Sequence, residues 1–165
     1  MTIKVEKLTD ETLMQRACAF TSGKESKMTL ERIYRCEHSP MRTQLFWIEM
    51  VGIPSFVSVH FARHNVGVTH FVRSNRSDIT GVDDAEVTRL TPVNDAMLIN
   101  AQALVNMARK RLCKKSSRET RNVMVEIFEK TIKIDFALGL NLRTECQYRN
   151  GCYEEKSCGF MKKGE

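Results

Sequence analysis

The sequence predicts an α+β fold in which a small sheet packs against long helices. Two segments rich in strand-forming residues, Gln44–Val51 and Thr69–Arg73, precede two long segments whose apolar residues recur at helical spacing, about Asn94–Leu112 and about Arg118–Leu138. A chain of 165 residues, 42% hydrophobic and 28% charged, is long and apolar enough to build one core. Residues 1–165 therefore read as a single domain, with 144–165 as a cysteine-containing C-terminal tail.

Met1–Asp10 is polar and of mixed charge, without the apolar stretch of an export signal, and no later run reaches eighteen uninterrupted apolar residues. The expected setting is the cytoplasm, with no membrane and with the six cysteines as reduced thiols. Leu13, Met14, Ala17 and Phe20 share one face of a helix over Asp10–Phe20, capped by Thr9 or Asp10 and broken by Thr21-Ser22-Gly23-Lys24. A second short helix spans Thr29–Cys36. His38-Ser39-Pro40 then forms a loop, because a residue before proline avoids helical backbone.

The first strand ends at Gly52, and Pro54 suits the opening turn of a helix that runs through Phe56, Val57, Val59, His60 and Phe61 to about His64. After the second strand, Ser74–Glu86 is polar and turn-forming. Leu98, Ala101, Val105 and Ala108 make the stripe of the first long helix. Val125, Phe128 and Ile132 make that of the second, which opens on Ser116-Ser117-Arg118-Glu119 as a capping box and stops at Gly139.

The net charge of +6 is unevenly spread. Between Arg109 and Arg121, seven cations stand against one acid, which suits either an anionic partner or a solvated helix end. The Arg63-His64 pair closes a helix, and Ser74-Asn75-Arg76 follows the next strand. Two guanidiniums and a hydroxyl so placed fit a phosphate or carboxylate clamp, or a basic surface turn.

The order and spacing of this whole segment resembles the flavin-dependent thymidylate synthases. Their signature is Arg-His-Arg, seven residues, then Ser-x-Arg; here Arg63-His64-Asn65, eight residues and Ser74-Asn75-Arg76 stand in its place. His38-Ser39-Pro40 matches a family histidine in a loop before the preceding strand, and Leu140-Asn141-Leu142-Arg143 matches the family's Leu-Asn-Leu-Arg. The resemblance implies a thymidylate synthase-complementing-protein-like fold with a small antiparallel sheet. It also implies FAD as cofactor, NADPH and methylenetetrahydrofolate as co-substrates, and reductive methylation of dUMP to dTMP by a homotetramer. Carried over residue by residue, His38, Arg63, His64 and Asn65 would face the flavin, and Ser74 and Arg76 the nucleotide phosphate. Arg143 would orient the pyrimidine as the catalytic residue. His60 stands where a nucleotide-binding glutamine is usual, and Arg118 and Arg121 are nearest to a family arginine that binds phosphate from a neighbouring subunit. Asn65 replaces the third residue of the family's Arg-His-Arg, Val72 an acid, and Ser77 a tyrosine.

Cys146, Cys152 and Cys158 are separated by five residues each, in a tail similar to the endings of some phage-encoded synthase-like proteins. Three thiolates and a fourth ligand, Cys36 or His38, would make a tetrahedral zinc site; reduced thiols packing the tail are the other reading. The alternative to an enzyme is a non-catalytic nucleotide- or nucleic-acid-binding protein on the same scaffold, stabilised by zinc and using the Arg109–Arg121 run.

Overall fold

The computed structural model describes residues 1–164 and begins with a strand. β1 (Thr2–Lys7) alternates Ile3 and Val5 with Lys4 and Glu6, and it pairs antiparallel with β2 (Leu45–Pro54), Ile3 opposite Met50 and Val5 opposite Ile48. Between them lie α1 (Glu11–Ser22), capped by the Asp10 carboxylate, and α2 (Leu30–Arg35), capped by the Thr29 hydroxyl. A 3-10 turn, Ser39–Thr43, follows. β2 continues beyond Gly52, which takes φ +71 at an irregularity between Met50 and Ile53, where Asn94 Oδ1 accepts its N–H.

α3 (Ser55–Ala62) leads to β3 (Val68–Val72), then α4 (Ser77–Thr80), a 3-10 turn at Asp84–Glu86, and β4 (Pro92–Asn100). The four strands form one antiparallel sheet in the order β1-β2-β4-β3. α5 (Ala101–Arg111), α6 (Arg118–Ile134), α7 (Phe136–Gly139) and α8 (Glu145–Tyr148) complete the chain. Phe46, Ile48, Met50, Met97 and Ile99 turn one sheet face inward to a core closed by Met14, Tyr34, Leu104, Met124 and Ile127 of the helices. This α+β architecture, a small antiparallel sheet with helices packed on it, is the one expected.

Several expectations need correction, beginning with the α1 face, where Leu13 and Phe20 are exposed and Met14 and Cys18 are the buried residues. The predicted helix Asn94–Leu112 is half strand: Val93, Asp95, Met97 and Ile99 are buried alternately in β4, and only from Ala101 does the helix begin. Asn100 marks the change by accepting the Ala103 N–H at 2.9 Å. The same side chain leaves no room for a Cβ on Gly67, which would lie 2.4 Å from Asn100 Nδ2 with the backbone at φ +74. The buried stripe of α6 is Thr120, Val123, Met124, Ile127 and Thr131, whereas Val125 is exposed and Phe128 and Ile132 are half-buried. Two threonines can occupy the stripe because their hydroxyls are bonded, Thr131 to the Ile127 carbonyl at 2.8 Å and Thr120 to Ser117 and His60. The cap of α6 is Ser117 rather than Ser116, and the helix ends at Ile134, where Asp135 breaks it and caps α7. Among the described residues no helix is long and apolar enough to cross a membrane.

Candidate functional site

Three helix ends meet around His60 and His64. Arg63 caps the C-terminus of α3, and His64 follows it in the turn to β3. From the last residue of α5, Arg111 Nε donates to His64 Nε2 at 3.0 Å and Nη2 donates to the His60 carbonyl at 2.5 Å. An imidazole nitrogen that accepts carries no proton, so the His64 proton sits on Nδ1 and remains available as a donor. Burial, then the Arg111 charge and His70, push His64 down to about 4. His60 Nδ1 lies 2.8 Å from the Thr120 hydroxyl, which accepts from Ser117 Oγ at 2.8 Å. Burial and then Arg111, Arg63 and Arg89 hold His60 below its ordinary value. Arg118 and Arg121 flank Thr120 in the first turn of α6, the former exposed and the latter half-buried. Asn65 is exposed in the turn.

Arg63 and Arg111 are neighbours of like charge. Burial and then Arg63 lower the Arg111 guanidinium from its ordinary value. Among the described residues no carboxylate forms an ion pair with either arginine. Two cations without an acid, beside a neutral histidine that donates, suit an anionic ligand rich in acceptors.

The other half of the motif sits at the far end of β3, a strand of five residues that spans about 16 Å. There Ser74 Oγ accepts from the Arg76 N–H at 3.2 Å, and Arg76 forms a two-pronged pair with Asp78 at 2.9 and 2.7 Å. Both partners of that pair are well exposed, so it contributes about 1 kcal/mol or less. Arg63 and Arg76 stand before and after β3 in the chain.

His38 opens the 3-10 turn and is half-buried. Its neighbour Glu37 accepts from Gln102 Nε2 at 2.7 Å and from the Arg109 guanidinium. Burial pushes the Glu37 carboxyl up, but the bonds from Gln102 and Arg109 outweigh it and hold the group below the usual range. Arg109 lies over the Tyr148 ring at 3.6 Å, and Arg143 stands 5.4 Å from the same ring. Arg109 of α5 thus joins Glu37, the residue before His38, to the ring that Arg143 also faces.

Residue types alone did not single out Arg111, Thr120 or Glu37; Arg111 was one cation of seven in its run, with nothing local to mark it as a bonded keystone. His70 was also unmarked. Its Nδ1 is 3.2 Å from buried Asp95, whose other oxygen accepts from Ser58 at 2.8 Å, and its Nε2 is buried without a partner.

In the C-terminal segment, Cys146, Cys152 and Cys158 line one cleft of about 400 Å³ together with Cys113, Arg109, Lys115 and Arg149. Cys36, expected as a possible fourth metal ligand, opens instead onto a separate groove formed by Thr29, Glu31, Arg32 and Arg35. As the side chains lie, no three His, Cys, Asp or Glu groups among the described residues are gathered to hold a metal ion.

The depressed histidine has a measurable consequence. A folded-state value of about 4, below the ordinary 6.5, means that the unfolded chain binds the proton first as pH falls. The stability that His64 contributes is complete above about pH 6.5 and is lost as pH falls toward about 4. Discounted for partial exposure, the loss between about pH 7 and about pH 5 is about 1 kcal/mol. Urea melts at the two pH values should show it, and His64→Gln should remove that part of the dependence.

Comparison with models of known families and with curated proteins finds no match. Comparison with solved structures does. A flavin-dependent thymidylate synthase, ThyX, from Helicobacter pylori, complexed with FAD and dUMP, superposes with a TM-score of 0.72 at 12% identity over 87% of this chain and 100% of that one. A second structure of the ThyX from that organism, with FAD and dUMP, gives 0.66 at 12% identity over 84% and 99%. A UMP/dUMP methylase, PolB, from Streptomyces cacaoi, bound with 5-Br dUMP, gives 0.64 at 13% identity over 85% and 94%. The chain shares their fold.

Proposed function

We propose that this chain is a flavin-dependent thymidylate synthase-like enzyme that binds FAD and dUMP and carries out reductive methylation with methylenetetrahydrofolate and NADPH. The observation that carries the reading is the junction of α3, α5 and α6, where Arg63 and Arg111 stand together without an acid beside a neutral, donating His64. It supports an anionic, acceptor-rich group at the position where the Arg-His motif falls, in a fold shared with solved proteins complexed with FAD and dUMP. The donor set fits such a group: a cation for a phosphate, and N–H donors for ring acceptors.

When bound, the flavin supplies the hydride chemistry. Arg63, His64, Asn65 and His38 hold and orient it. Ser74 and Arg76 neutralise the nucleotide phosphate, assisted by Arg118 or Arg121, while His60 lines the pocket and Arg143 positions the pyrimidine ring. Because Arg63 and Arg76 lie at opposite ends of β3, a complete site draws its two halves from different copies of the chain, as a homotetramer in the cytoplasm would allow. The nucleic-acid reading is weaker: Arg109 is paired with Glu37, so the basic run has fewer cations free for phosphates than its composition promised.

Arg63→Ala is expected to weaken FAD binding by about 10- to 100-fold, and Arg76→Ala to weaken dUMP binding by a similar factor while leaving FAD affinity in place. Flavin fluorescence titrated with and without dUMP measures both. Unchanged affinities in both variants would sink the assignment, and recovery of turnover on mixing the two inactive variants would support the shared site.

A further inference from the structure

Two guanidiniums share one tyrosine ring where α5 packs on α8. Arg109 lies 3.6 Å from the centroid of the Tyr148 ring and Arg143 lies 5.4 Å from it, both within reach of cation–π attraction. Their charges are met differently. Arg109 is paired with Glu37, whereas among the described residues no carboxylate forms an ion pair with half-buried Arg143.

Local structure fixes each member of this group. Leu142 and Thr144 are buried on either side of Arg143. Thr144 opens α8 with a capping box, its hydroxyl accepting the Gln147 N–H at 3.3 Å while its own N–H donates to Gln147 Oε1 at 3.0 Å, and the single turn of α8 then ends at Tyr148. Glu37 comes from the end of α2. There the His38 N–H donates to the Ile33 carbonyl at 3.0 Å and the Glu37 N–H to the Tyr34 carbonyl at 3.2 Å, a Schellman pair of bonds that sets Glu37 at φ +53. Glycine is the usual residue at this left-handed position. A glutamate carries backbone strain there that glycine would not, and its side chain supplies the carboxylate that accepts from Gln102 at 2.7 Å and from the Arg109 guanidinium.

Charge separates the roles of the two arginines. Like charges beside one ring repel each other and compete for its negative face. Glu37 cancels the charge of Arg109, which leaves Arg109 as a neutralised support for the ring and Arg143 as the cation open to a ligand. We propose that Glu37, Arg109 and Tyr148 are positioning residues that hold the Arg143 guanidinium in place for the carbonyl acceptors of a pyrimidine ring. A guanidinium presents only donors, in a rigid fork, so once held it matches ring carbonyls and mismatches an amino group. This rests on the reading of Arg143 as a residue that faces dUMP, and it adds to that reading three residues that no motif marks.

The test is the affinity of the full chain for dUMP in the presence of FAD, by calorimetry, with urea melts as the control for folding. Tyr148→Ala should weaken dUMP binding about tenfold, Tyr148→Phe, which keeps the ring, should stay within about threefold of wild type, and Glu37→Gln should fall between them. In the already weakened Arg143→Ala background, Tyr148→Ala should add nothing, because a residue that acts through Arg143 has nothing left to position. Tyr148 is 40% exposed in a four-residue helix, so its truncation leaves the main core whole. Wild-type protein that binds no dUMP, or an Arg143→Ala chain that binds it as wild type does, overturns the reading of the site and the positioning with it. Arg143→Ala that binds weakly while Tyr148→Ala binds as wild type, or an equal further loss from Tyr148→Ala with Arg143 already gone, overturns the positioning alone and leaves the proposed function standing.

Discussion

Asp135→Ala should cost about 3–5 kcal/mol of stability, the largest loss expected from any single side chain described above. Its carboxylate is only 2% exposed and accepts from Lys7 Nζ at 2.7 Å, from the Tyr34 hydroxyl at 2.8 Å and from the Leu138 N–H at 2.9 Å. One group therefore joins β1, α2 and the start of α7. Removing it leaves a mostly buried ammonium and a fully buried phenol without their acceptor, and each unmet partner carries a desolvation cost. Burial and then Asp135 push the Tyr34 phenol well up, so the hydroxyl remains a donor at any pH where the protein is handled. Asp135→Asn keeps one acceptor, for the Leu138 N–H or for the phenol but not for both, because these bond different carboxylate oxygens; it also removes the charge facing Lys7, and should lose somewhat less than Asp135→Ala. Urea denaturation of the two variants measures the difference. A loss under about 1 kcal/mol for Asp135→Ala would show that Lys7 and Tyr34 find water instead.

The contrast between what the sequence disclosed and what it hid follows from which signals are local. The end of α3, the turn and β3 were legible because Gly52, Pro54 and Gly67 punctuate them, and the Arg63 and Ser74 segments fall at the ends expected. β4 was hidden because Leu98, Ala101, Val105 and Ala108 satisfy a helical period that runs across the Asn100 boundary, while the alternation of Val93, Met97 and Ile99 is interrupted by buried Asp95. Asp95 is tolerated inside only because Ser58 and His70 meet it there, a pairing made by tertiary structure. The break at Asp135 carries neither glycine nor proline, and its reason is likewise distant: Lys7 lies 128 residues away. The α6 stripe was misread because apolar counting passes over threonines that hide their hydroxyls by bonding them. For the candidate site, the motif turn could be located from sequence, whereas the group that fixes its geometry, Arg111, comes from another helix.

That dependence makes Arg111→Met the second variant with a large expected effect. The methionine keeps much of the aliphatic stem but loses the bonds to His64 Nε2 and to the His60 carbonyl, at a cost of about 2 kcal/mol. His64 then loses the second cause of its low value; burial and His70 remain, so its pKa should rise from about 4 only part of the way to 6.5. Proton NMR of the imidazole against pH reads this directly. Freed from Arg111, His64 can carry its proton on either nitrogen and rotate, so the donor it presented to the ligand is no longer fixed, and flavin affinity should fall about tenfold or more. Arg63→Ala supplies the comparison, because Arg63 is exposed and its loss should weaken binding with little change in stability. If Arg111→Met bound flavin as wild type while His64 titrated near its ordinary value, the turn would not be the cofactor site. If instead binding fell and His64 did not move, Arg111 would be holding the ligand itself rather than positioning the histidine, and the two outcomes separate those roles at a single residue.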